Sequence, residues 1–170
     1  MALSKIDTAA IATDAIEAAQ LKSDAIASGD LPTGSVLSVN RTSYDTAINP
    51  SSTVWSNSGL SITLTPKSSS SKFYLQGEIF WLDSSNSAGW QGGYYRFRRG
   101  STVIFQPTYS LALGSHHNGN HMHRNIISYL DSPSTASQIT YDIQLYNYST
   151  TVYWHQGGGD SFLTIFEIAG

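Results

Sequence analysis

The stretch Ile139-Thr140-Tyr141-Asp142-Ile143-Gln144-Leu145 alternates large apolar and polar residues without a break. In an extended chain Ile139, Tyr141, Ile143 and Leu145 share one face and Thr140, Asp142 and Gln144 the other, the signature of a half-buried strand. Outward from it the same period recurs. Phe162–Ile168 (FLTIFEI), Leu60–Leu64 (LSITL) and Ser35–Val39 (SVLSV) alternate, and Lys72–Leu82 (KFYLQGEIFWL) and Trp90–Arg99 (WQGGYYRFRR) are long and aromatic-rich. Thr102–Phe105, Tyr109–Leu113, Asn125–Leu130 and Thr150–His155 are shorter candidates. Clusters of Ser, Asn, Gly and Pro separate them, a spacing that predicts an all-β, jelly-roll-like β-sandwich head over residues 35–170. The interval 40–59 has weak strand content and is expected to wrap as a long connection.

Residues 1–31 follow other rules. Ile6, Ile11, Ile16, Leu21, Ile26 and Leu31 recur every five positions. A step of five turns an α-helix by about 140°, so these residues would spiral around it instead of forming a stripe. Odd steps alternate faces in a strand, so a simple half-buried strand fails as well. The intervening alanines favour helix locally. The strict pentad is better explained as one structural step per five residues along a thin stalk, extended or part-helical. One such strand cannot bury its own Ile/Leu row, so partner copies must supply the other walls. This segment holds Asp7, Asp14, Glu17, Asp24 and Asp30 against Lys5 and Lys22, so it carries the whole net charge of -3 and leaves the rest neutral. It has no aromatic residue, and Gly29, Pro32 and Gly34 punctuate the boundary.

Composition excludes several classes. Zero cysteine rules out a disulfide scaffold, a thiolate zinc site and a cysteine nucleophile. Seven acids balance seven bases after residue 31, which argues against a nucleic-acid binder. No apolar run approaches the roughly 20 residues of a membrane helix, so no membrane insertion is expected. Met1–Asp7 lacks the head and apolar stretch of a secretory signal. Only 12% of residues are charged while 27 are Ser and 15 Thr, so solubility rests on hydroxyls and amides.

Three segments carry a family resemblance. Gly59-Leu60-Ser61-Ile62-Thr63-Leu64-Thr65-Pro66-Lys67-Ser68-Ser69-Ser70-Ser71-Lys72 resembles a signature of tail-fibre-like virion proteins from tailed bacteriophages of marine and cyanobacterial type. Ser128–Tyr141 is similar to a second signature, and Thr164-Ile165-Phe166-Glu167-Ile168-Ala169 to the last strand of the group. The pentads resemble the short Ile/Ala/Asp/Thr repeats that precede such heads. Members are often much longer, and Gly114–His123 matches no signature of the group. The resemblance implies a homotrimeric virion appendage. Residues 1–34 would be its stalk, virion anchor and linker, joined to other virion proteins through residues 1–31. The head would adsorb to a host-surface glycan or protein. A chain of this length, reading as full-length from Met1 to Gly170, also fits a capsid-attached fibre or decoration protein without receptor binding.

Candidate chemistry is concentrated in few places. Four of the five histidines lie in Gly114–His123. His121 and His123, two apart, would share a strand face, and three copies around an axis would offer six imidazoles to a divalent metal. As a polar Gly/Asn loop the same stretch would offer His116 and His117 to a receptor. Amphipathic rings bind sugar faces and protein surfaces, and loop-flanked Trp90, Tyr148, Trp154 and His155 are the receptor-contact candidates. Trp81, Tyr94, Tyr95, Tyr109, Tyr146 and Tyr153 read as core or interface. Arg96 and Arg98 share a face opposite Arg99, suited to acidic glycans or to carboxylates across a trimer seam. No Gly-x-Ser-x-Gly, phosphate-binding loop or facing carboxylate pair is visible, so no enzymatic activity is expected.

Overall fold

A computed structural model describes residues 30–49, 54–83, 90–108, 114–115, 121–147, 152–156 and 159–170. The pentad positions Ile6 to Ile26 and the candidate strand 109–113 lie outside them. Eleven strands are described: β1 (Val36–Tyr44), β2 (Ser56–Leu64), β3 (Lys72–Asp83), β4 (Trp90–Gln91), β5 (Gly93–Arg99), β6 (Thr102–Phe105), β7 (Gly114–Ser115), β8 (His121–Asp131), β9 (Ile139–Asn147), β10 (Val152–Trp154) and β11 (Ser161–Ile168). Every pairing is antiparallel. The first sheet runs β1-β11-β3, with β8 along the far edge of β3 and β10 beyond the end of β11; the second runs β2-β9-β5-β6. β4 and β7 form a small ribbon of their own.

The alternation seen in the sequence sets the facing. Phe73, Leu75, Ile79, Trp81, Ile127, Leu163 and Ile165 of the first sheet meet Leu60, Ile62, Tyr95, Phe97, Tyr141, Ile143 and Leu145 of the second. Gly77 sits in the middle of β3, where side chains of both sheets fill the space a Cβ would take. A Cβ at that position would lie 2.9 Å from Ile143 Cδ1 and 3.3 Å from Ile127 and Phe97. A sandwich of two antiparallel sheets is therefore the architecture of the described head.

The interval 40–59 is not the long connection the sequence suggested. Asn40–Tyr44 extends β1 and Ser56–Gly59 opens β2. β1 pairs with β11 residue by residue as far as Tyr44↔Ser161, so ladder hydrogen bonds override the weak propensity of its second half. The stretch 90–99 breaks at Gly92 (φ 154°), which splits β4 from β5. β8 begins at His121, four residues before the sequence suggested, because β3 is long enough to pair Asp83 with it.

Where carboxylates enter the interior, they arrive with partners. Asp131 accepts from Arg99 Nη1 and Tyr141 Oη, both at 2.7 Å, and burial together with that bond pushes the Tyr141 hydroxyl far above its ordinary pKa. Glu167, 2% exposed, accepts from the Lys67 backbone N–H at 2.6 Å and from the hydroxyls of Ser71 at 2.8 Å and Ser38 at 3.2 Å. Tyr95 differs from these carboxylates. Its hydroxyl is buried with no hydrogen-bond partner among the described residues.

Candidate functional site

The outer faces of the two sheets differ, and each poses a functional question. On the first sheet, strand register lays side chains in cross-strand rows: Val39, Phe166, Tyr74, Leu130; then Arg41, Thr164, Gln76, Ser128; then Ser43, Phe162, Glu78, Ile126. Val36, Val39, Tyr74, Met122, Ile126 and Leu130 are exposed, with Ile126 at 61% and Met122 at 60%. Charged groups are few on this face. Arg124 bonds Glu78, the Arg41 guanidinium lies 3.9 Å from the Phe162 ring centroid, and Lys72 is exposed at the end of β3. The result is a largely apolar sheet face with a small positive excess, of the kind that soluble monomers rarely leave uncovered.

On the second sheet an aromatic row heads a polar ladder. Tyr94 pairs with Tyr146, Arg96 with Gln144, and Arg98 with Asp142. Trp55, just before β2, lies 5.5 Å from Tyr146, which meets Tyr94 edge-on at 5.8 Å. These three rings and Gln106 line a cleft of about 300 Å³. Below it the Arg96 guanidinium stacks 4.1 Å from the Trp55 centroid and donates from Nε (2.9 Å) and Nη2 (2.6 Å) to Gln144 Oε1. One step further, Arg98 forms a two-pronged pair with Asp142 at 2.8 and 2.9 Å. The carboxylates expected across a trimer seam are thus supplied to Arg98 and Arg99 by the same chain. Arg96 alone of the three is bonded to a neutral amide.

The cleft lies at the end of the sandwich remote from residues 30–35. The chain enters beside the C-terminus, where Gly34 N–H bonds Ala169 C=O and Val36 pairs with Ile168, which pairs with Lys72. Tyr146 adjoins Asn147, whose Oδ1 accepts from Trp154 Nε1, and Trp154 pairs with Trp81 near the other end of β3. Nine residues of strand, roughly 30 Å, separate Lys72 from Trp81.

Of the six receptor-contact candidates, His116, His117 and Tyr148 lie outside the described residues. Trp90 is placed in β4, paired with Ser115. Trp154 and His155 are corrected. They are 2% and 1% exposed, so they are core groups of this chain and offer no outward contact. Trp154 packs against Trp81, and Asn147 ties it to Val152 C=O (2.9 Å) and to Asn49 (3.0 Å). His155, at φ 60°, is held edge-on to Tyr44 with Nδ1 2.6 Å from Ser161 Oγ. Burial pulls its pKa down to about 4.

His121 and His123 do share a face of β8, but it is the face turned to the interior. The His123 ring stacks on Trp81 at 4.1 Å, and both Nε2 atoms are buried. Among the described residues no group of three His, Asp or Glu side chains gathers around a common point. Leu31, last of the pentad positions, is 38% exposed and lines a cavity of about 340 Å³ with Leu37, Lys67 and Ala169. Sequence reasoning set Tyr94 and Tyr146 aside as core and did not single out Trp55. Their parity, outward wherever Tyr95 and Leu145 point inward, was the available signal.

Comparison with known proteins gives little. No family model matches the chain, and no curated protein matches it. A solved structure of the Gx strain of infectious bursal disease virus is similar over 78% of this chain and 38% of that one, at 10% identity and a TM-score of 0.34. The chain thus spans well under half the length of that neighbour.

Proposed function

We propose that this chain is a structural protein of a tailed-phage virion, a homotrimeric fibre or spike whose residues 1–31 attach it to the particle and whose head adsorbs to the host surface. The observation that carries this reading is the outer face of the first sheet. Six exposed apolar side chains on one sheet face, in a chain whose N-terminal segment needs partner copies to bury its pentads, call for association of like with like. Four strands about 4.8 Å apart and up to about 40 Å long present a face of roughly 600–700 Å², close to the ~800 Å² each partner contributes to a stable interface.

Adsorption then works by multivalency. Each head contacts the surface weakly, and three heads per fibre on many fibres raise the avidity. The remote placement of the aromatic cleft from residues 30–35 supports this orientation, with the tether at one end and the contact surface at the other. Sedimentation equilibrium of the purified full-length chain should give a species of three chains of 18.5 kDa each, and antibodies to the head should label purified particles and block adsorption. A monomer at micromolar concentration, or particles without the chain, overturns the proposal.

A further inference from the structure

The cleft formed by Trp55, Tyr94, Gln106 and Tyr146 carries an inference about the ligand itself. It rests on the reading of the head as the part that meets the host surface. Four features define what fits. Its walls are amphipathic rings, with no Leu, Ile or Val in the lining among the described residues, so they suit a ligand with alternating C–H faces and hydroxyl edges better than a lipid chain. Its volume, about 300 Å³, lies at the lower limit of ligand pockets and suits one or two pyranose rings. Its hydrogen-bonding groups converge without partners: Trp55 Nε1–H, the Tyr94 and Tyr146 hydroxyls and the Gln106 amide make no hydrogen bond among the described residues.

The fourth feature is charge. Arg98 and Arg99 are neutralised by Asp142 and Asp131. Among the described residues Arg96 is bonded to Gln144 alone, through Nε and Nη2, which leaves three of its five N–H donors for a ligand. Burial and the neighbouring Arg98 draw its pKa below the ordinary arginine value without removing its charge. Stacking on Trp55 fixes the guanidinium plane beside the cleft. One positive group beside three rings does not make a track for a phosphate backbone, which would need a row of uncompensated bases. It matches a single carboxylate on a sugar ring, which a guanidinium meets with two parallel hydrogen bonds.

We propose that this cleft binds a carboxylated pyranose, a uronic-acid residue of an envelope polysaccharide, with the ring against Trp55 and Tyr146 and its carboxylate on Arg96. The test is isothermal titration of the full-length chain with tri-galacturonic acid and with its methyl ester, which is neutral. Binding of the acid should be saturable and about ten-fold tighter than binding of the ester. Trp55→Ala should weaken both by about thirty-fold. Arg96→Gln should remove the preference for the acid, so that acid and ester bind with the same affinity, a readout that general damage to the sheet would not mimic. Because Trp55 and Arg96 support one another, Gln106→Ala at the exposed rim serves as a second variant and should weaken both ligands about three-fold. No saturable binding by the folded chain, or binding indifferent to Trp55→Ala and Arg96→Gln, overturns the inference. Two outcomes separate it from the adsorption reading. Sugar binding that needs Trp55 and Arg96, in particles that adsorb equally well with Trp55→Ala, upholds the cleft and overturns adsorption by this head. Adsorption that needs the chain, with no sugar bound, overturns the cleft alone.

Discussion

The outer faces of the two sheets are built on the same pleat and opposed to the same core, yet they are finished in opposite ways. The first leaves Val39, Ile126 and Leu130 in solvent and carries one ion pair, Arg124 with Glu78. The second puts Thr63 against Thr140, Arg98 on Asp142 and Arg96 on Gln144, and reserves its rings for one end. An antiparallel sandwich needs only its inner faces to fold. What the outer faces carry is therefore free to serve other ends, and the contrast separates a surface suited to copies of the chain from one suited to ligand.

The sharpest way to break that contrast is to charge the apolar face. Ile126→Glu with Leu130→Glu should turn the assembled species into monomer in sedimentation velocity, weakening association by at least about a hundred-fold. Thr63→Glu on the outer face of the second sheet should leave the sedimentation coefficient unchanged. Next in size, Arg99→Met leaves Asp131 buried beside Tyr141 with one charge partner fewer, and urea unfolding should register a loss of roughly 3 kcal/mol.

The third effect depends on pH. His155 sits between the sheets with Tyr44 and Ser161, and Asp45 is near enough to favour its charged form slightly. Its folded pKa, about 4, lies below the ordinary 6.5. On acidification the unfolded chain therefore takes up a proton first. The stability His155 provides is complete above about pH 6.5, falls as the pH drops towards 4, and is gone below it. The full span is of the order of 3 kcal/mol. The difference between the stability–pH curves of the wild type and His155→Asn, a residue that tolerates φ near 60°, should show this window. A flat difference refutes the assignment. The smallest effect is a gain: Tyr95→Phe removes a buried hydroxyl with no partner among the described residues and should raise stability by about 1 kcal/mol.

Much of the sandwich was readable one strand at a time. Ile139–Leu145 and Leu60–Leu64 alternate because one side is buried, and the apolar side is the buried one in both; in Phe162–Ile168 the buried side is that of Leu163, Ile165 and Glu167, and Phe162, Phe166 and Ile168 face outward. Asn40–Tyr44 was unreadable because its order comes from β11, a strand more than a hundred residues away. The site was less legible for a related reason. Trp154 and His155 precede Gln156 and a glycine run, which suggested a loop, but β10 tucks them beside Trp81 and Ser161. Trp55 looked isolated in a weak interval, and only the register of β2 against β9 brings it to Tyr146. A lone sequence shows parity but not neighbours across strands.

The long ladder between β1 and β11 has a mechanical consequence. β1 is the first strand after residues 30–35, and its partner is the last strand of the chain. Tension from a tether at the N-terminal side, opposed by a grip at the remote cleft, pulls β1 along its own axis past β11. The ladder from Val36↔Ile168 to Tyr44↔Ser161 is then loaded in shear, so its bonds share the force and must fail together. Peeling would break them singly at far lower force. On the proposed reading, with the chain held at its N-terminal side, the strand order makes this ladder strongest along the direction of pull.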